Sequence, residues 1–233
     1  MMKTFLAFSL TVISLLIFNS CDTVVEVENN SVLLPLSVGN YWKYVTYSYS
    51  LSGEILPGAT DSLLLTIDEE VIVSLDGKIY KGGVMTRKFG DNIFPEARWI
   101  YSNLNDGLYY LGGYADTDTL YKKNLYLKYP AVESETWSHS YMAFDLLTGN
   151  FIYNSDSTTT ITCQTLNNNV KTDFGEFDSI CYFLSEKPAE DVAVYWDYYF
   201  YYAPNIGLVA MEVRSAYDNR LIQKMILTDY ILQ

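Results

Sequence analysis

The run Tyr195-Trp196-Asp197-Tyr198-Tyr199-Phe200-Tyr201-Tyr202 constrains this chain more than any other stretch: seven of its eight residues are aromatic, and Pro204-Asn205-Ile206-Gly207 stops it. Alternate residues of a strand point to opposite faces. Trp196, Tyr198 and Phe200 therefore share one face, and Tyr195, Tyr199 and Tyr201 the other. Rings on both faces predict a strand in the middle of a sheet, covered on both sides.

The rest of the chain alternates strand and turn. Residues 41–49 are aromatic and β-branched, the composition of a strand. Residues 63–67 and 71–73 run to the turn Asp76-Gly77, and the return strand ends near Arg87. Residues 98–101 meet Asn105-Asp106-Gly107, a hairpin signal, and 108–111 come back. Further strands are predicted over 120–129, 144–153, 158–166, 177–184, 194–202, 208–213 and 221–232. Nowhere do apolar residues keep the i, i+3, i+4, i+7 spacing of a capped helix. The expected class is all-β and antiparallel. An open twisted sheet rarely exceeds ~10 strands, so about eleven or twelve predict a curved, partly closed barrel or two packed sheets.

The chain opens with Lys3 and an uncharged stretch over 5–18, followed by Asn19-Ser20-Cys21. That is a secretory signal over residues 1–20, shorter than the roughly 20 apolar residues that span a bilayer. Phe18-Asn19-Ser20-Cys21 resembles a lipobox, where bacterial signal peptidase II cuts before a diacylated cysteine, although Phe18 and Asn19 depart from the commonest pattern. The resemblance implies palmitate-type acylation at Cys21, a tether over 21–31, one β domain over 32–233 and anchoring in the outer membrane. The alternative is an ordinary secretory signal with an incidental cysteine. Loss of Lys3 takes the formal charge from −13 to −14. Such a surface repels phosphate backbones and anionic headgroups, which excludes nucleic acid and leaves membrane attachment to the lipid.

Cys163 and Cys181 lie in strand-like text in a chain bound for a disulfide-permissive compartment. They either pair across neighbouring strands or remain two buried thiols. A faint internal repeat is also present. Trp42 precedes Trp137 by 95 residues, Trp99 precedes Trp196 by 97, and Gly107-Leu108 precedes Gly207-Leu208 by 100. Two β units over 32–129 and 130–233 would place Trp99 and Trp196 at equivalent positions facing one core.

Pro35-Leu36-x-Val38-Gly39-Asn40-x-Trp42-x-Tyr44, Val170-x-Thr172-x-x-Gly175-x-Phe177 and Tyr201-Tyr202-Ala203-Pro204-Asn205-Ile206-Gly207-Leu208-Val209 resemble the signatures of a large group of uncharacterised lipoproteins from diderm bacteria. The resemblance implies an all-β domain without assigned catalytic activity, of the kind likened to periplasmic lipid-carrier barrels. It supplies no catalytic residue.

Motifs of chemistry are scarce. His139 is the single histidine, which removes any two-histidine metal site. Neither a Gly-x-Ser-x-Gly elbow nor a Gly-x-x-x-x-Gly-Lys loop occurs. Asp116-x-Asp118 and Glu133-x-Glu135 pair carboxylates as calcium sites and glycosidases do, but neither continues into a calcium loop. The expectation is a protein with no enzyme activity, metal or cofactor. Its 22 tyrosines either fill strands or line a pocket for an amphipathic ligand or glycan. The residues in question are Trp42, Trp99, Trp137, Trp196, Tyr198 and Phe200, as ligand-lining or core rings. Three binding roles follow: a carrier of a hydrophobic or amphipathic ligand, an assembly component docking an envelope protein, and a glycan-binding accessory protein.

Overall fold

The alternation of β-branched and aromatic residues with polar ones yields strands throughout. The computed structural model describes residues 31–90, 92–93, 98–115, 118–145, 148–185 and 196–233, among which there are thirteen strands and no helix. Cys21, the leader, most of the tether, Asp116 and Tyr195 lie outside the described residues. The strands are β1 Tyr41–Tyr49, β2 Ile55–Leu75, β3 Lys78–Phe89, β4 Asn92–Ile93, β5 Arg98–Leu104, β6 Gly107–Tyr114 and β7 Thr119–Lys128. After them come β8 Thr136–Asp145, β9 Asn150–Thr172, β10 Gly175–Ser185, β11 Trp196–Ala203, β12 Gly207–Ser215 and β13 Leu221–Ile231.

All belong to one antiparallel sheet in the order β7-β6-β5-β3-β2-β1-β13-β12-β11-β10-β9-β8, with two-residue β4 beside β3. β4 carries the strand number past the eleven or twelve expected. β2 and β9 are also longer than their apolar text, at 21 and 23 residues. The exposed polar stretches 68–70 and 154–158 continue these strands where nothing covers them, so hydrophobic pattern alone does not mark them.

The path is two meanders. The ladder from Tyr41↔Ile231 to Ser48↔Gln223 joins the first strand of one to the last strand of the other. The sheet curls until β7 and β8, the two ends of the path, face each other in a nearly closed barrel. No backbone ladder joins them among the described residues. Side chains stitch the seam instead. Asn124 Nδ2 donates to the Ser140 carbonyl at 2.8 Å, and the Ser140 N–H donates back to Asn124 Oδ1 at 3.3 Å. Trp137 Nε1 donates to the Tyr126 carbonyl at 3.0 Å, and His139 Nδ1 lies 2.8 Å from the Leu125 carbonyl. Lys128 and Glu135 close the line with an ion pair.

One end of the barrel is plugged by the segment before β1. Leu33 and Leu34 are buried in the core, and Asn103 Nδ2 holds the Leu34 carbonyl at 2.8 Å. Val32 N–H donates to Asn205 Oδ1 at 2.9 Å, and Asn205 N–H donates to the Val32 carbonyl at 2.7 Å. Trp42 Nε1 reaches the Ile206 carbonyl at 2.6 Å and the Tyr44 hydroxyl the Leu208 carbonyl at 2.9 Å. Stretches 35–44 and 201–209, singled out above, therefore meet here. Gly207 is needed at the contact: its φ is +109°, and a Cβ there would lie 2.8 Å from Leu34 Cδ1.

The main core lies inside the barrel. A satellite of Val73, Tyr80, Val84, Ile100, Leu104, Tyr109 and Leu111 forms on the opposite face of the sheet, where the far ends of β2 and β3 fold over β5 and β6. The alternation is plain in β5, where Trp99 and Tyr101 point inward and Ile100 outward.

Candidate functional site

Residues two apart on successive strands project into the barrel, and they do not fill it. Leu63 and Leu65 on β2, Met85, Arg87 and Phe89 on β3, and Phe200 on β11 help line a cavity of about 450 Å³. Its floor is buried Leu34, Tyr44, Tyr202 and Leu208 against the plug. The lining passes to half-buried Thr46 and Gln223 and to exposed Asp61, which marks the mouth.

The wall is a continuous ring network. Tyr110 packs on Tyr101 at 4.6 Å between centroids and on Tyr126 at 4.8 Å. Tyr126 continues to Phe200 at 6.4 Å. Burial pushes the Tyr110, Tyr126 and Tyr202 hydroxyls well above their ordinary pKa of 10, which keeps them neutral donors.

Arg87 is the charged group of the wall. Its Nη2 donates to the Tyr101 hydroxyl at 3.0 Å, and that hydroxyl donates to Tyr110 at 3.0 Å. Its guanidinium lies 5.7 Å from the centre of the Trp99 ring. Burial works against the charge, while the surrounding phenols Tyr101 and Tyr110 favour it, and the net direction of its pKa is upward. Arg87 and Tyr110 sit deep inside the barrel yet keep accessible surface, because that surface faces the cavity. Sequence reading placed Arg87 only as the end of a strand. The usable signal was a period-two array, Met85, Arg87 and Phe89, with a cation among apolar neighbours.

Of the six rings singled out in the sequence, Phe200 alone lines this cavity. Trp42 (0 % exposed) lies beside the floor, Trp99 packs edge-on against Phe151 at 5.2 Å, and Trp137 packs on Tyr182 at 5.9 Å. Tyr198 stacks on Phe200 with 8° between planes. Trp196 corrects the sequence expectation. It is 42 % exposed, at the start of β11 and the rim of the barrel, opposite Ser215. β11 itself is covered less than expected, since most of its residues are half-buried.

Cys163 and Cys181 are both free. Cys163 faces the core opposite Tyr182, while Cys181, the neighbour of Tyr182, turns to the other face of the sheet. A bulge between these two pairs separates the thiols further. The expected alternative of a disulfide is therefore absent, and burial pushes Cys163 up to about 11 and Cys181 up to about 12.

His139 is buried in the seam, and burial is the larger of two opposed effects that leave its pKa below 6.5. The unfolded chain takes up this proton near 6.5, and the folded chain only at lower pH. Stability is full above 6.5 and declines as pH falls from there to the folded value. His139→Gln should flatten the dependence of the melting temperature between about pH 7.5 and 5.5. Equal slopes in the two proteins would remove His139 as its source. Two members of the carboxylate pairs have structural partners: Asp118 accepts the Phe151 N–H at 2.7 Å, and Glu135 pairs with Lys128.

No family model and no curated protein matches this sequence. Two solved structures are similar to it. One is a protein described as exported, with a YmcC-like fold, from Bacteroides fragilis: TM-score 0.52 and 14 % identity over 87 % of this chain and all of that one. The other is a protein described as a lipoprotein from Parabacteroides distasonis: TM-score 0.47 and 14 % identity over 88 % of this chain and all of that one. The first likeness shows the fold: an all-β, nearly closed antiparallel barrel of the YmcC-like kind.

Proposed function

We propose that this chain is a cell-envelope lipoprotein, anchored in the outer membrane through Cys21, whose barrel holds a hydrophobic or amphipathic small molecule without transforming it. The observation that carries the reading is the ring-lined cavity of about 450 Å³, within the ~300–1,000 Å³ of small-molecule sites. The leader over 1–20, followed directly by Cys21, supports the anchor, and the similar fold in a protein described as exported agrees with export.

Protein purified from its own membrane should release an amphiphile in about equal molar amount on solvent extraction and mass spectrometry. If nothing is extracted and a neutral probe, N-phenyl-1-naphthylamine, does not bind, the carrier role is overturned. Cys21→Ser should move the protein from the membrane to the soluble fraction, because acyl chains supply the attachment. An unmodified native N-terminus by mass spectrometry defeats the anchor while leaving the carrier role standing.

A second reading, docking of an envelope partner, draws on the outer face of β10 to β12. There the Phe183 and Tyr199 rings lie 5.1 Å apart, and Arg214 sits 5.8 Å from the Tyr199 ring centre. Crosslinking in cells separates the two, since a carrier yields a small molecule and no stable partner.

A further inference from the structure

Arg87 poses a question that packing does not answer. A guanidinium has five N–H donors, and among the described residues it forms one hydrogen bond, to Tyr101. No carboxylate among the described residues lies within 4.0 Å of it, whereas Arg214 has Glu212 at 2.7 Å and Arg220 has Asp218 at 3.8 Å. The groups around Arg87 are neutral phenols and a tryptophan face. Asp61 also lines the cavity, but it is exposed at the mouth and forms no ion pair with Arg87. A cation removed from water and left without a counter-charge is costly unless something supplies one. Here the donors that lack partners face an open cavity.

Resting on the carrier reading, we propose that the ligand is a single-chain amphiphile with an oxyanion head, carboxylate or phosphate, and that Arg87 binds that head, while the Tyr101 hydroxyl, its own proton given to Tyr110, holds the guanidinium in place. The planar fork of a guanidinium takes both oxygens of such a group at once. The tail lies against Leu63, Leu65, Met211, Met225 and Phe200, which are apolar and line the same space. Flexible methionine side chains adapt to chains of differing length. At about 450 Å³ the cavity stands in the lower half of the ~300–1,000 Å³ range of ligand sites, which favours one acyl chain over two.

The test uses the full chain loaded with N-phenyl-1-naphthylamine and displaces it with dodecanoate, dodecyl phosphate and dodecanol. The two anions should displace the probe at concentrations at least about tenfold lower than the alcohol, as a charge-assisted hydrogen bond predicts. The better of the two identifies the head. Arg87→Gln should bring all three within about twofold of each other, and Arg87→Lys should keep a preference for the anions. Equal displacement by anions and alcohol in the unaltered protein overturns the oxyanion site and leaves the carrier reading intact. Failure of the probe to bind at all removes the carrier reading. Because the decisive comparison is made in the unaltered protein, it stands even if Arg87→Gln does not fold.

Discussion

Trp42→Ala should melt roughly 6–20 °C below the unaltered protein. Trp42 is fully buried, and its indole N–H holds the Ile206 carbonyl at 2.6 Å, so the substitution empties the space beside Gly207 and frees the plug from its turn. Truncating a buried tryptophan costs about 3–5 kcal/mol, a large share of the ~5–15 kcal/mol of a domain's stability. Trp42→Phe separates the two contributions. It keeps most of the volume and loses the hydrogen bond, so about 0.5–1.5 kcal/mol of the loss should come from that bond, alongside a smaller cavity cost. Urea midpoints of the two variants measure the difference. A midpoint for Trp42→Ala equal to that of the unaltered protein would falsify the anchoring role of this residue.

Trp99→Ala and Trp196→Ala should behave very differently, although the two residues occupy matching places in the sequence. Trp99 is 8 % exposed, packed on Phe151 and beneath the Arg87 guanidinium, and its loss should cost about 3–5 kcal/mol. Trp196 is 42 % exposed at the barrel rim, and its loss should stay within about 0.5 kcal/mol. Trp99→Ala also removes the face that holds Arg87, so any discrimination between anionic and neutral amphiphiles should weaken with it. Melts of the purified variants decide the point. A collapse of Trp196→Ala as severe as that of Trp99→Ala would mean that the rim is covered.

Class and strand order of magnitude were legible because they are written locally. Alternating side chains and Gly-containing turns such as Asn105-Asp106-Gly107 act within a few residues. Buried Trp42 and Trp137 were legible for the same reason: large rings on a strand seek the interior. Trp196 misled because its ring is large but its strand begins at the rim, and only the assembled barrel says where the rim falls. The thiols were legible as buried but not as unpaired, since the register of β9 against β10 decides which face each takes. Arg87 escaped because a lone arginine at the end of a strand reads as a solvated cap. Its meaning depends on Tyr101, Tyr110 and Tyr126, which come from three other strands.

A main-chain ladder tolerates almost any residue, because its donors and acceptors belong to the backbone. Around most of this barrel, closure is therefore indifferent to the identity of the side chains. At the seam between β7 and β8 the opposite holds: Asn124, Trp137 and His139 make the connections with their own functional groups. That line is where a single codon change can loosen or tighten the circumference without touching a strand. The dimensions of the interior are in this sense inherited from the few side chains of the seam, and descendants of this chain could widen or narrow it by exchanging them.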